Sequence, residues 1–169
     1  MQRKRLLIAD STYHVTSRIN GGDKRLRQEK IKNLYLDIVK RAKEKYSFEL
    51  INFCIMNNHV HLVIKPLEDS SLSRIMQWIS SVFAKEWNKL HHRTGHVWGE
   101  RFFSRIIAGA VDLVRVFMYI DDNPVEAGLV RRPEEWKFGG LWHHKKEIFN
   151  IVKKLDTSFL RLFPDYTPG

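Results

Sequence analysis

The stretch that decides the fold is Cys54-Ile55-Met56-Asn57-Asn58-His59-Val60-His61-Leu62-Val63-Ile64-Lys65. Its Asn-Asn pair is typical of a tight turn that requires positive φ, and the alternation that follows is typical of a strand. Because side chains alternate across a strand, every second residue is predicted to face the core. The predicted core face carries Val60, Leu62 and Ile64, and the opposite face carries His59, His61 and Val63.

The paired histidines of this strand allow two interpretations. Two imidazoles on one face of a rigid strand can each turn a nitrogen toward one point above the sheet, which is half of a metal site. The alternative is a structural or surface pair, because eight histidines in 169 residues produce such a spacing by chance. The stretch alone leaves a metal or phosphate role and a structural role both open.

Composition limits the class of protein. A chain of 169 residues fits one domain, or a domain with an appendage, and can bury a real core. Its 29 Lys and Arg against 19 Asp and Glu give a net charge of +10. This balance favours a polyanionic partner, with nucleic acid the first expectation and a membrane surface the second.

Cysteine content and hydropathy indicate the compartment. The single cysteine, Cys54, excludes an intrachain disulfide and favours a reducing cytosol. The apolar run Leu6-Leu7-Ile8-Ala9 is too short for a signal-peptide core, and no run approaches membrane-spanning length. We therefore expect a soluble, cytoplasmic protein with no membrane partner.

Periodicity outward from the histidine strand predicts the remaining elements. The predicted order is a strand over 11–18, a helix over 24–46, a strand over 48–55, the histidine strand ending at Pro66, a helix over 72–90, a strand over 104–108 and a helix over 111–122. The strand over 48–55 is apolar on both faces, which predicts a central position in the sheet. This order predicts an α+β fold, a ferredoxin-like antiparallel four-stranded sheet with helices on one face.

The sequence changes character near residue 130. Residues 1–130 contain all the elements of the predicted sheet and its helices. Residues 131–169 contain a Trp-rich and Gly-rich segment and a weaker helix near 148–163. We predict a C-terminal appendage over 131–169 that packs on the domain, with its Trp and Phe side chains as anchors.

The third predicted helix carries polar residues four positions apart. Arg115, Tyr119 and Asn123 form a row opposite the apolar stripe, because residues four apart lie one turn apart on the same face. Tyr119 by itself also fits a surface tyrosine. Asn123 fits both a hard-metal ligand and the N-cap of a new short helix that begins at Pro124. Asp121 is interpreted as a helix-surface charge.

Several motifs occur together in one order. His59-Val60-His61 lies within Met56 to Ile64, and Tyr119-Ile120-Asp121-Asp122-Asn123-Pro124-Val125-Glu126-Ala127-Gly128-Leu129-Val130 follows later. Joined in this order, they closely resemble the one-tyrosine HUH transposases, and in particular the REP-associated tyrosine transposases. The opening strand over 13–18 and the loop over 95–104 are also similar to that family. The resemblance covers roughly residues 11–130.

The resemblance implies a metal-dependent single-strand DNA endonuclease and strand transferase, with residues 1–130 as its catalytic domain. Matched by motif, Tyr119 is the nucleophile, and His59, His61 and Asn123 hold the divalent cation. Insertion-sequence relatives usually carry glutamine at the third ligand position, whereas the REP-associated branch resembles this chain in having asparagine. The segment Ile19-Asn20-Gly21-Gly22 departs from the Arg-Gly-Asn of many relatives, which affects the expected DNA contacts of the first loop.

The implied chemistry needs a cation but no nucleotide cofactor. Attack by tyrosine exchanges one phosphate ester for another and leaves a 5′-phosphotyrosine link that a 3′ hydroxyl can reverse. Two imidazoles and an amide oxygen suit Mg²⁺ or Mn²⁺, and Mn²⁺ accepts nitrogen more readily. No carboxylate is clearly placed to deprotonate the tyrosine, whose ordinary pKa is near ~10.

The substrate implied by the resemblance is single-stranded DNA with a palindromic hairpin. Basic residues expected near the site can bind its phosphates, and aromatic residues can stack on splayed bases. The predicted DNA-binding residues are Arg3, Lys4, Arg5, His14, Arg18, Trp98, Arg101, Phe102 and Arg105. Each also fits an ordinary solvated or packing role.

Two other functions fit parts of the sequence. A four-stranded ferredoxin-like sheet is also the RRM scaffold, so a non-catalytic nucleic-acid-binding module is the main alternative, although the usual stacking rings are not evident. A metal phosphohydrolase without a covalent intermediate is the other. One Tyr119 per chain permits a monomer that cuts sequentially or a homodimer that makes paired cuts.

Overall fold

The fold of this chain is described from a computed structural model, over residues 10–167. The strands are β1 (Tyr13–Arg18), β2 (Phe48–Ile55), β3 (His59–Pro66) and β4 (Phe103–Ile106). The helices are α1 (Glu29–Lys45), α2 (Leu72–Leu90), α3 (Gly109–Glu126), α4 (Gly140–Lys145) and α5 (Thr157–Leu162). Among these residues, no helix combines the length and apolar character needed to cross a bilayer.

The sheet is antiparallel throughout and has the strand order β2-β3-β1-β4. This order, with α1 joining β1 to β2 and α2 joining β3 to β4, is the predicted ferredoxin-like α+β fold, which is confirmed. The prediction of a central position for β2 is wrong, because β2 forms one edge of the sheet.

The edge strand β2 is apolar on both faces because other segments cover it. Along its outer edge, the Ile55 backbone N–H donates to the Phe138 carbonyl at 2.9 Å, and the Lys153 N–H donates to the Leu50 carbonyl at 2.7 Å. Gly140 approaches β2 so closely that a Cβ there would lie 2.1 Å from Asn52 Oδ1. The segment over 138–153 therefore packs against β2, which protects an otherwise unpaired edge.

Two apolar cores lie on the two faces of the sheet. The first core joins α1 and α2 to inward residues of the strands, including Val15, Leu62 and Ile64. The second core joins α3 and the C-terminal segment to the opposite face, where Val63 is fully buried. The two crossover helices therefore lie on one face, as predicted, and α3 lies on the second face with the C-terminal segment.

A buried polar cluster, which we call the anchor, fixes α3 to this second layer. It consists of Asn52 on β2, Asp121 on α3 and Tyr166 near the C-terminus. The Asp121 carboxylate accepts from Asn52 Nδ2 at 3.1 Å and from the Tyr166 hydroxyl at 2.8 Å. The interpretation of Asp121 as a surface charge is thus wrong. Burial raises its pKa to about 7.

Helix α3 does not end where the sequence suggested. It continues through Pro124 to Glu126, so the prediction that Asn123 caps a new short helix is wrong. Proline lacks the N–H that would bond one turn back, which costs the helix one internal hydrogen bond. Near this position the Asn123 side chain donates from Nδ2 to the Tyr119 carbonyl at 2.6 Å.

Candidate active site

The candidate site lies where β1 and β3 meet α3. His59 and His61 are on β3, His14 and Thr16 are on the adjacent β1, and Tyr119 is on α3. His61 lies directly across from Thr16 in the antiparallel register. The prediction that the two strand histidines share one face with the third helix close by is consistent with this geometry.

The phenol of Tyr119 faces the histidine pair. Its ring centroid lies 5.4 Å from that of His61 and 6.0 Å from that of His14, edge-on in both cases. Tyr119 is nevertheless 47% exposed, whereas His61 is only 1% exposed. The tyrosine is therefore reachable by a large substrate while it stays in contact with buried imidazoles.

Asn123 turns its amide oxygen toward His59. Because Asn123 Nδ2 donates to the Tyr119 carbonyl, Oδ1 must be the atom that lies 3.3 Å from His59 Nε2. His59 Nδ1 lies 2.7 Å from Asn58 Oδ1, and a neutral ring that donates to Asn58 from Nδ1 has no proton left for Asn123. His59 Nε2 then bears a lone pair and faces another acceptor.

Two acceptors at this separation repel each other unless a positive charge lies near them. Either a second proton on His59 or a bound cation would satisfy both atoms. Burial lowers the pKa of His59, which disfavours the second proton. His61 Nε2 is a further buried nitrogen without a hydrogen-bond partner. This donor set therefore fits a cation.

The electrostatics keep the site histidines neutral. Burial first, and then the neighbouring His59 and His14, lower the pKa of His61 to about 3. Burial and the Arg105 guanidinium lower the pKa of His14 to about 4. Neutral imidazoles are the form that ligates metal. Within residues 10–167 no group of three His, Cys, Asp or Glu side chains could hold a metal, so a cation bound by the two strand histidines would need a third donor of another kind.

Two further residues, which were not predicted as site residues, support the histidines. Thr16 Oγ1 lies 3.2 Å from His61 Nδ1, and Asn58 Oδ1 contacts His59 as described. Thr16 alternates onto the same face of β1 as His14, which was the available signal. Nothing in the sequence pattern indicated that Asn58 would contact its neighbour instead of only forming the turn.

The predicted DNA-binding residues separate into distinct groups. Arg18 lies opposite His59 and Arg105 lies opposite His14 in the strand registers, so both are beside the site. Arg105 forms a two-bond ion pair with Asp112 at 2.8 and 3.1 Å. Arg3, Lys4 and Arg5 lie outside the described residues.

The aromatic pair Trp98 and Phe102 lies elsewhere. Both pack against the first core, on the face of the sheet opposite the second core. The Trp98 ring contacts Tyr35 and Phe83, and its Nε1 donates to the Ser80 carbonyl at 3.0 Å. The structure thus does not bring these rings to the histidine pair. With Arg101 they line a separate cavity of about 610 Å³.

Fold and site together define a ferredoxin-like protein with a centre of paired histidines and one tyrosine. Residues 8–123 match the transposase IS200-like family, so the chain belongs to that family, and the predicted family is confirmed. The matched stretch contains His59, His61 and Tyr119 and ends at Asn123. Transposases cleave and join DNA, which makes the chain an enzyme of that class.

Individual relatives agree with this assignment. Over 128 residues, 69% of this chain and 73% of the relative, the chain is 26% identical to a Haemophilus influenzae protein provisionally named a REP-associated tyrosine transposase. A structure of a REP-associated tyrosine transposase bound to a REP hairpin shares the fold, with a TM-score of 0.71, 21% identity and 92% coverage of each chain. A provisionally named transposase from Deinococcus radiodurans has a TM-score of 0.51 and 15% identity, with 72% of this chain and 97% of that chain covered.

Proposed function

We propose that this chain cleaves and rejoins single-stranded DNA at palindromic hairpin repeats, through a 5′-phosphotyrosine link to Tyr119. The observation that carries the proposal is the exposed Tyr119 phenol, 5.4 Å between ring centroids from the buried His61. A phosphate lying against this phenol would also meet the nitrogens of the histidine pair. Packing alone gives no reason for buried imidazoles to lie beside an exposed tyrosine.

The proposed step exchanges one ester for another. The Tyr119 oxygen attacks the phosphorus, a P–O(tyrosine) bond forms, and the bond from phosphorus to the 3′ oxygen breaks. The phenol gives up one proton and the departing 3′ oxygen gains one, so bond energy and proton number are conserved. A 3′ hydroxyl from another strand can run the same step in reverse, which joins two strands.

We propose His59, His61 and Asn123 as the ligands of Mg²⁺ or Mn²⁺. The support is the acceptor pair between His59 Nε2 and Asn123 Oδ1 and the unpartnered Nε2 of His61. When bound there, such a cation would polarise a non-bridging phosphate oxygen and offset the charge that develops on it. Burial holds both imidazoles neutral and thus available as ligands.

Charge and the relatives support hairpin DNA as the substrate. The chain has a net charge of +10, and Arg18 and Arg105 lie beside the histidines. The structurally similar REP-associated transposase is bound to a REP hairpin, and the Haemophilus relative carries the same REP-associated name. We therefore place this chain in the REP-associated branch of its family.

Trapping of the covalent adduct tests the proposal. Wild-type protein incubated with Mg²⁺ or Mn²⁺ and repeat hairpins that are labelled at the 3′ end, or internally on the 3′ side of the cut, is expected to carry label on Tyr119 after denaturation. Tyr119→Phe is expected to lose the adduct completely and to bind the hairpin within about threefold of wild type, because only the attacking oxygen is removed. An adduct that persists in Tyr119→Phe would assign the nucleophile to another residue.

The same assay separates the alternatives. A binding module would retain its DNA affinity in EDTA and form no adduct, and a phosphohydrolase would cut without retaining label. The described structure gives less support to an RRM-type module, because α3 and the C-terminal segment cover much of the second sheet face. An open face is what such modules use to stack bases.

A further inference from the structure

We propose that His14 is a positioning residue that holds His61 in the tautomer with a bare Nε2. The inference rests on the proposed function, because it concerns how one proposed ligand is prepared. His14 Nε2 lies 3.0 Å from His61 Nδ1, and the two rings are stacked with centroids 5.2 Å apart. Both side chains are buried, at 8% and 1% exposure.

A contact between two ring nitrogens requires one donor and one acceptor. In the first arrangement His61 Nδ1–H donates to His14 Nε2, and His61 Nε2 keeps its lone pair. In the second arrangement His14 Nε2–H donates, and the single proton of neutral His61 must lie on Nε2. That nitrogen is buried and has no hydrogen-bond partner, so the second arrangement would bury an unsatisfied N–H. The first arrangement is therefore favoured.

The second histidine of the strand is held in the same way. His59 Nδ1 lies 2.7 Å from Asn58 Oδ1, and donation to that oxygen leaves His59 Nε2 bare toward Asn123. Both imidazoles thus have an acceptor at Nδ1 and present Nε2 to the site. The two acceptors differ in origin, because Asn58 is the next-door residue whereas His14 comes from another strand. The tautomer of His61 therefore depends on the pairing of β1 with β3, because this pairing brings His14 beside His61.

Acceptors of this kind orient the ring of a metal-binding histidine, and their loss typically lowers metal affinity about 10- to 100-fold. His14→Phe keeps a flat ring of similar size but removes the ring-nitrogen acceptor, which leaves Thr16 Oγ1, 3.2 Å from His61 Nδ1, as the remaining one. His14→Gln keeps an acceptor, because its amide oxygen can receive the His61 Nδ1–H. We expect His14→Phe to weaken Mn²⁺ binding about 10- to 100-fold and His14→Gln to recover most of this loss.

The experiment uses the full chain and Mn²⁺ alone, with binding followed by calorimetry and by the Mn²⁺ electron paramagnetic resonance signal. His143→Phe is the matched control, because His143 is a buried histidine of the C-terminal segment whose Nδ1 contacts the Gly139 carbonyl. It is expected to bind Mn²⁺ as tightly as wild type. Equal Mn²⁺ affinity in wild type and His14→Phe would overturn the inference and leave the proposed function standing.

A second measurement needs no variant that must fold. Nitrogen-15 spectra of the histidine side chains of the metal-free wild type report which ring nitrogen carries the proton. We expect His61 to be protonated at Nδ1, and a proton on Nε2 would overturn the inference. Failure of the proposed function would look different. In that case wild-type protein would form no phosphotyrosine adduct, although its His61 would carry the proton on Nδ1 as expected.

Discussion

Helix α3 carries two polar clusters on different sides, and they differ in how completely their groups are paired. On one side the anchor, Asn52 with Asp121 and Tyr166, has both carboxylate oxygens of Asp121 occupied by donors. On the other side, two residues away, Tyr119 and Asn123 face imidazoles of which one has an unpartnered buried Nε2. The carboxylate of the anchor is thus fully paired within the chain, whereas the site keeps an unpaired buried nitrogen.

This difference distinguishes buried polar groups that have a structural role from buried polar groups that have a chemical role. A buried polar group stabilises a fold only when its hydrogen bonds are completed, because an unsatisfied one costs more than a completed one contributes. The anchor meets that condition within the chain itself. The site does not, and its unpartnered His61 Nε2 is the atom that we propose binds the cation.

The largest expected effect on stability comes from opening the anchor. Asp121→Ala leaves the Tyr166 hydroxyl and the Asn52 amide buried without their acceptor, so we expect the free energy of unfolding to fall by about 2–4 kcal/mol. Tyr119→Phe on the same helix removes one hydroxyl from an exposed ring and should stay within about 0.5 kcal/mol of wild type. Urea unfolding measures both. Equal losses in the two variants would contradict the comparison.

The anchor also predicts a pH dependence whose sign is defined. Burial raises the pKa of Asp121 to about 7, so the folded state holds a proton that the unfolded carboxyl, with a pKa near ~4, releases. Its contribution is full below pH ~4 and is lost as the pH rises through 7. Wild type should therefore lose about 2 kcal/mol relative to Asp121→Asn between pH 5 and 8.

The buried histidines act in the opposite direction over part of this range, since their pKa values are lowered and they favour the folded state more as the pH rises toward ~6.5. Taking the difference between wild type and Asp121→Asn at each pH cancels their contribution, because both proteins contain them. Chemical unfolding at several pH values supplies that difference. A difference that is flat from pH 5 to 8 would show that Asp121 is ionised in the folded protein throughout.

The smallest expected effect tests a charge at the rim of the site. Arg105 pairs with Asp112 while 41% of its side chain is exposed, so Arg105→Gln should cost no more than about 1 kcal/mol of stability. If Arg105 contacts a phosphate, hairpin affinity should fall and the slope of log affinity against log salt should decrease by about 1. Lys65→Gln, at the far end of β3, is the matched control. An unchanged slope in Arg105→Gln would remove it from the DNA surface.

Local patterns in the sequence predicted the strands of the sheet and singled out the paired histidines and the Tyr119 row as candidates. The alternation around His59 and His61 depends only on strand geometry, and the row through Tyr119 and Asn123 depends only on helix geometry. Their meeting across the fold required the family resemblance, because no local rule positions a helix over a strand 58 residues before it.

Two of the wrong predictions share one physical cause. Asp121 was interpreted as a surface charge because its partner Tyr166 lies 45 residues away, and β2 was interpreted as central because its cover comes from residues 138 and 153. Strand β2 is as apolar as a central strand because it is equally shielded from water. Apolar patterning reports burial, and it does not report which neighbour provides that burial.

Because C-terminal segments cover β2, the order of synthesis affects how the chain folds. During synthesis the sheet can assemble once β4 has emerged, but the outer backbone groups of β2 have no partners until the Phe138 and Lys153 backbones arrive. Until then the nascent chain exposes an apolar strand with an unpaired edge, which can pair with strands of other nascent chains. A gene truncated shortly after codon 130 would leave the edge of β2 permanently unpaired, and its product should form inclusion bodies even though every residue of the candidate site is present.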